Sequence, residues 1–87
     1  MVKDKIILTN ETGLHARPAS ELAKLAATFK SEIKLYVNGK TVDAKSILSI
    51  MSAGIKCNTE IEIECDGEDE KKALLEIKKG FENNFGE

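Results

Sequence analysis

The stretch EIKLYVNGKTVD, Glu32–Asp43, decides the centre of the fold. Polar and apolar residues alternate from Glu32 to Val37, which is typical of a strand with one buried face. Asn38-Gly39 follows at once and favours a two-residue type I′ turn, because both turn positions need a positive φ. Lys40–Asp43 then supplies the returning strand. We therefore predict a β-hairpin in the middle of the chain.

Further elements flank this hairpin on both sides. They are marked by apolar runs, by apolar residues at helical spacing, by an acid–apolar alternation and by an acidic helix start. In chain order they predict a strand at Lys5–Thr9, a helix over about 16–28, a short helix between Ser46 and Gly54, a strand at Glu60–Asp66, and a helix from the acids after Gly67 to about residue 84. This order predicts an α+β fold with helices covering one face of the sheet, in a single domain over residues 1–87.

Composition excludes several classes of function. The formal net charge is −2 and no basic block is present, so a nucleic-acid footprint is absent. The apolar runs are much shorter than the ~20 residues of a membrane-spanning helix, so we expect no membrane insertion. The first residues show no signal-peptide pattern. Cys57 and Cys65 lack the spacing of a disulfide framework. We expect a cytoplasmic protein whose free thiols have no role, with Cys57 at the surface and Cys65 buried.

A second stretch, TGLHARPAS at Thr12–Ser20, contains the only histidine, arginine and proline of the chain. If Ala16 is the first helical residue, His15 is the N-cap and Pro18 takes a position where an amide would lack a helical partner. The amides of Ala16 and Arg17 then lie beside the imidazole, at the end of a helix that favours anions. A charge-assisted hydrogen bond from Arg17 to a phosphate would add about 1.5–3 kcal/mol. These features predict a site that holds a phosphoryl group on His15.

Other chemistries were weighed for the same residues. A lone histidine at a helix start is also compatible with a surface residue or a simple cap, and the residues alone leave this alternative open. A metal site is excluded because no cysteine or carboxylate pair lies near enough in sequence to complete a coordination shell. A Ser-His-Asp triad lacks support because Ser20 would lie more than one helical turn from His15. We expect no cofactor and no enzyme cleft, since the chain is too small for one.

These residues carry a resemblance to a known family. TGLHARPAS is similar to the active-site signature of the HPr family, the histidine-containing phosphocarrier proteins of the bacterial phosphotransferase system, and Val42–Ile47 resembles its second signature. The resemblance implies an open-faced sandwich of four antiparallel strands and three helices. It also implies a carrier, not an enzyme, in which His15 accepts phosphate on Nδ1 from phosphoenolpyruvate-charged Enzyme I and passes it to IIA domains of sugar permeases. Arg17 would pair with that phosphate, and we expect a monomer.

Ser46 precedes the short helix and has two compatible interpretations. Its position predicts an N-cap, worth about 1 kcal/mol. The family resemblance implies that an ATP-dependent HPr kinase/phosphorylase phosphorylates it. Apolar residues of the short helix are either core or an exposed docking patch, and the resemblance favours the patch: Ile47, Leu48 and Met51. Thr12, Ala16, Ser20 and Lys24 would share that partner face by helical spacing.

An alternative function stays open as well, a regulatory interaction module that acts through the Ser46–Met51 face without phosphoryl transfer. One departure from the family pattern bears on the backbone: Asn58 stands in a turn that usually contains glycine. Asparagine tolerates a positive φ, so we expect that turn to be kept.

Overall fold

The computed structural model describes residues 1–9, 11 and 13–86. Thr12, one of the residues assigned to the partner face, lies outside this described part. The elements follow one another as β1 (Val2–Ile7), α1 (Ala16–Ala27), β2 (Glu32–Val37), β3 (Lys40–Asp43), α2 (Ile47–Ser52), β4 (Glu60–Asp66) and α3 (Glu70–Glu82), with a 3₁₀ turn at Asn84–Gly86.

The four strands form one antiparallel sheet in the order β1-β4-β2-β3. β2 and β3 are the predicted hairpin, with Lys34 opposite Asp43 and Val37 opposite Lys40. Asn38 and Gly39 have φ values of 50° and 78°, as a type I′ turn requires. Asn58 has a φ of 65°, so the asparagine takes the positive φ expected of it. The hairpin prediction is confirmed.

The core lies between one face of the sheet and the helices. Alternate residues of β2 and β4 are buried there together with apolar residues from all three helices, among them Ile33, Leu35, Val37, Ile61, Ile63, Cys65, Leu22, Ile50 and Ile77. The intervening residues of these strands point to the other face, where a row of alternating charges crosses the four strands. That row runs Lys3, Glu64, Lys34, Asp43. The predicted α+β open-faced sandwich is therefore confirmed.

The position of β1 corrects the sequence prediction. Lys5–Thr9 was expected from the apolar run, whereas the strand covers Val2–Ile7 and ends before Leu8. The reason is its pairing with β4, since Val2 lies opposite Cys65 and Ile7 opposite Glu60, so residues Glu60 to Cys65 of β4 all have a partner in β1. An apolar run does not by itself fix the ends of a strand, because the length of the neighbouring strand sets where pairing begins and ends. α1 ends at Ala27, within one residue of the expected boundary.

Asp69 fastens the loop after α1 to the start of α3. Its carboxylate accepts hydrogen bonds from the backbone amides of Lys30 and Ser31 and from the Ser31 hydroxyl. Bonding to the Ser31 hydroxyl, followed by the Lys30 amide, lowers the pKa of Asp69 to about 2. Ser31 is fully buried, so this clamp satisfies polar groups that would otherwise lack partners.

Gly80 leaves room for an aromatic ring against α3. A Cβ at this position would lie 2.2 Å from the Phe85 ring, so no larger residue fits without a shift. The Phe85 ring in turn meets Phe81 edge to face, with centroids 5.0 Å apart. Glycine has a low helix propensity, but at position 80 its lack of a side chain lets Phe85, beyond the end of α3, pack back onto the helix.

Candidate functional site

The N-terminus of α1 places His15 at the boundary between loop and helix. His15 is the N-cap, with extended φ and ψ of −85° and −168°, and its carbonyl accepts the Ala19 amide at 2.9 Å. Its side chain makes no capping hydrogen bond to the first turn. The predicted N-cap position is therefore confirmed, and the imidazole, which is half-buried, does not serve the helix as a cap.

The residues after His15 complete the helix start as the sequence indicates. Ala16 and Arg17 are the first two helical residues and both are exposed. Pro18, the third, is buried, and its ring brings no amide to a turn where amides lack helical acceptors. The end of the helix beside the imidazole thus consists of two backbone amides and one exposed guanidinium side chain, which together suit an anion.

A second segment supports the loop that carries His15. Leu14 donates its amide to the carbonyl of Ile55 at 2.9 Å. Gly13 has a φ of 71°, and a Cβ there would lie 2.6 Å from the Ile55 oxygen and 3.1 Å from Lys56 Cα. The backbone of residues 13–14 therefore rests directly on that of 55–56. The sequence did not predict this contact, because nothing in the local pattern links positions so far apart.

Ser46 is the N-cap of α2, as predicted. Its hydroxyl oxygen accepts the Ser49 amide at 3.1 Å. Ser49 in turn accepts the Asp43 amide on its own hydroxyl oxygen at 3.0 Å, which ties α2 to the end of β3. The sequence pattern did not indicate this structural use of Ser49. Ser46 itself is half-buried.

The two alternatives for the apolar residues of α2 are separated by their exposure. Ile47, Leu48 and Met51 have 47%, 77% and 42% of their surface exposed, whereas Ile50 is fully buried. Only Ile50 belongs to the core, so the three exposed residues form a patch, which we call the α2 patch. A contiguous exposed apolar patch rimmed by polar residues is typical of a protein-docking surface.

The α2 patch adjoins α1, because the two helices pack against each other. On α1, Ala16 and Lys24 are exposed and Ser20 is half-buried, so the three positions spaced by four residues share an accessible side. Lys24 has a weak ion pair with Glu21 at 3.8 Å. The residues assigned to the partner face, Thr12 aside, thus lie on two neighbouring helices.

Among residues 1–9, 11 and 13–86, no three histidine, cysteine or acidic side chains come together in a way that could hold a metal ion. None of the helices in the same described part is both long and apolar enough to cross a membrane. Cys65 is fully buried and Cys57 is partly exposed. Burial is the main cause that raises the pKa of the Cys65 thiol to about 11.

Comparison with known proteins gives the family. The model of the PTS-HPr family, described as the PTS HPr component phosphorylation site, matches residues 2–83. The chain belongs to the PTS-HPr family. It is therefore a phosphocarrier of the phosphotransferase system, a carrier of phosphoryl groups and not an enzyme, with a family role in sugar transport.

Relatives and solved structures agree with this assignment. The chain is 47% identical over 79 residues to a phosphocarrier protein HPr of Mycoplasma capricolum, covering 91% of this chain and 89% of the relative. It superposes on the HPr-C-His crystal structure from Thermoanaerobacter tengcongensis with a TM-score of 0.95 at 38% identity, covering 100% of this chain and 98% of the other. A structure described as an HPr dimer from the same organism matches with a TM-score of 0.80 at 38% identity, and each chain is covered completely.

Proposed function

We propose that His15 is the phosphoryl acceptor of this phosphocarrier and that Nδ1 of its ring forms the bond to phosphorus. The observation that supports this most directly is the N-cap position of His15, with an imidazole that does not cap the helix. In the proposed reaction, phosphoenolpyruvate-charged Enzyme I supplies the phosphoryl group. The bond between phosphorus and the Enzyme I donor atom breaks as the bond to Nδ1 forms. The group then passes to the IIA domain of a sugar permease.

The chemistry asked of this chain is positioning and charge stabilisation. Phosphoryl transfer needs little else from a protein, because the charge is spread over the phosphoryl oxygens. The amides of Ala16 and Arg17 face the incoming anion, and the helix dipole adds about 0.3–1 kcal/mol. The guanidinium of Arg17 adds about 1.5–3 kcal/mol through a charge-assisted hydrogen bond. These few kcal/mol orient the phosphoryl group without holding it so tightly that transfer onward stops.

We further propose that Ser46 is a regulatory phosphorylation site for an ATP-dependent HPr kinase/phosphorylase. A phosphate there would bring about −1.5 to −2 charges to the N-terminus of α2, which favours negative charge. The helix therefore stays folded. The added charge would lie directly before Ile47 and Leu48 of the α2 patch. Partners that dock on this patch would then have to desolvate a phosphate, so their binding would weaken.

The partner face of the proposal consists of the α2 patch, of Ala16, Ser20 and Lys24 on the accessible side of α1, and of Thr12. Enzyme I and the IIA domains would dock there in turn, since both must reach His15. The chain would act as one domain and as a monomer in the cytoplasm, without a cofactor. The HPr dimer known among its structural relatives makes the oligomeric state a point for measurement.

The test is mass spectrometry after two separate treatments. With phosphoenolpyruvate and Enzyme I, the protein should gain one acid-labile phosphate, and His15→Ala should abolish the gain. With ATP and the kinase, the phosphate should appear on Ser46 and be stable to acid. Phosphate on another residue with His15 unmodified would refute the assignment of the acceptor.

Arg17→Ala should slow transfer to and from His15 without unfolding the protein, because its side chain is exposed. Lys30→Ala is the matched control, since it removes one exposed cation, whose weak ion pair is with Glu68 on the loop before α3. The proposed carrier predicts that the wild type restores sugar uptake in a carrier-deficient host and that His15→Ala does not. The alternative function, an interaction module acting through Ser46–Met51 without phosphoryl transfer, predicts that neither of them restores it.

A further inference from the structure

β1 is an edge strand, and its free edge can be located residue by residue. β4 lies on one side of it, and the sheet ends on the other. Leu8 donates its amide to Thr59 on the β4 side, in the register of the ladder. Backbone groups of an antiparallel strand alternate between its two edges. The amides of Lys3, Lys5 and Ile7 therefore face the free edge, where another strand could add.

The middle of this edge is occupied by a side chain. Asp4 accepts the Lys5 amide on Oδ1 at 2.8 Å, and its other oxygen, Oδ2, pairs with the ammonium of Lys78 on α3. The residue lies on the face of β1 that carries Val2 and Ile6, toward the helices, although its side chain remains accessible. Lys78 first, and the Lys5 amide second, lower the pKa of Asp4, so the carboxylate stays charged at neutral pH.

We propose that the Asp4–Lys78 pair closes the free edge of β1 against pairing with β1 of a second copy of this chain. A strand arriving at the edge must take the Lys5 amide, which Asp4 already holds, and must bring its own carbonyl oxygens against a carboxylate. Inward-pointing charges on edge strands are a known means of preventing such addition. The lysine from α3 fixes the carboxylate in place, so the closure does not depend on one mobile side chain.

Without the Asp4–Lys78 pair, the free edge of β1 would best fit β1 of a second copy of this chain. A two-fold axis at Ile6 sets Lys5 of one strand opposite Ile7 of the other, so no two lysines face each other, and the outward N–H and C=O groups then match one another. The end of the edge beyond Lys5 is apolar: Ile7 is 60% exposed beside a hollow of about 270 Å³ lined by Ile6, Thr9, Phe81 and Glu82. With both copies intact, each Asp4 carboxylate would hold the Lys5 amide that must donate to Ile7 of the other copy, which opposes the contact.

The experiment compares Asp4→Ala with the wild type by amide hydrogen exchange and sedimentation equilibrium. Exchange of the Lys5 amide should become about fivefold faster in dilute Asp4→Ala, since one hydrogen bond is lost. The Ile7 amide, which Asp4 does not hold, should be unchanged there. As the protein concentration rises, the variant should form dimers and the wild type should stay monomeric.

Glu62→Ala is the matched control, because it removes one acid from the neighbouring strand β4, away from the free edge. Lys78→Ala is the second variant, and it should show a weaker form of both effects, since the carboxylate remains but is no longer fixed. Faster exchange and self-association in the Asp4 and Lys78 variants alone would support the proposal. An Asp4→Ala variant whose Lys5 amide exchanges faster while the protein stays monomeric would overturn the proposal. A Glu62→Ala variant that dimerises equally would do the same, as would a wild type that dimerises through β1.

Discussion

Gly13→Ala tests how the loop before His15 is held. The glycine has a φ of 71°, and a Cβ would lie 2.6 Å from the Ile55 oxygen. The left-handed conformation costs an alanine about 1 kcal/mol. The Cβ would also push the loop away from Ile55 and weaken the bond from the Leu14 amide, worth about 1 kcal/mol. We expect the free energy of unfolding to fall by about 2–3 kcal/mol.

Gly39→Ala separates the two contributions. Gly39 has a φ of 78°, but no atom lies within 4 Å of its would-be Cβ. It should therefore lose only the conformational part, about 1 kcal/mol. Urea unfolding measures the loss in free energy of unfolding for each variant, and the difference between the two losses isolates the contact with Ile55. Two variants equal to within about 0.5 kcal/mol would refute the view that this contact supports the loop.

The same pair of variants has a second readout. Because Gly13 is two residues from His15, its alanine variant should accept phosphate from Enzyme I more slowly under conditions where it remains folded. Gly39→Ala, in the hairpin turn, should transfer at the wild-type rate. Equal transfer rates in both would mean that the loop need not rest on residues 55–56 for His15 to react.

Three further predictions concern single groups. Ser46→Ala should lower the free energy of unfolding by about 1 kcal/mol in urea titrations, since the Ser49 amide loses its cap. The pKa of Asp69 is about 2 in the folded protein, below the ordinary 3.8, so its stabilisation is complete above pH 3.8 and is lost as the pH falls toward 2; Asp69→Asn should flatten the pH dependence of stability in that range. Iodoacetamide at pH 8 should alkylate Cys57 well before Cys65, whose thiol is buried with a pKa of about 11, and peptide mass spectrometry would show a reversed order if the burial were wrong.

Local chemistry predicted much of this structure. Asn38-Gly39 specifies a turn by its backbone preferences alone, and Pro18 and Ser46 mark helix starts for reasons that lie within a few residues of each. The same holds for His15, whose place at the N-cap follows from the proline after it. Such features need no knowledge of the rest of the chain, which is why the core of the candidate site could be drawn from its own short motif.

Features that depend on distant residues were not predictable in this way. The clamp from Asp69 to Ser31 and the contact between Gly13 and Ile55 join positions roughly forty residues apart in the chain. The extent of β1 depends on β4, and the order of strands in the sheet is a property of the whole chain. Exposure of Ile47, Leu48 and Met51 was also undecided by pattern, because a helix of six residues shows too few turns to define one apolar face.

The row of charges across the outer face of the sheet has a practical consequence. Lys3, Glu64, Lys34 and Asp43 alternate in sign from strand to strand, and the helices lie on the opposite side. An added group at Thr41, which is exposed and lies opposite Tyr36 on β2, would therefore not enter the core. A fluorescent dye or a tether to a solid support at this position would allow binding of the carrier to its partners to be measured.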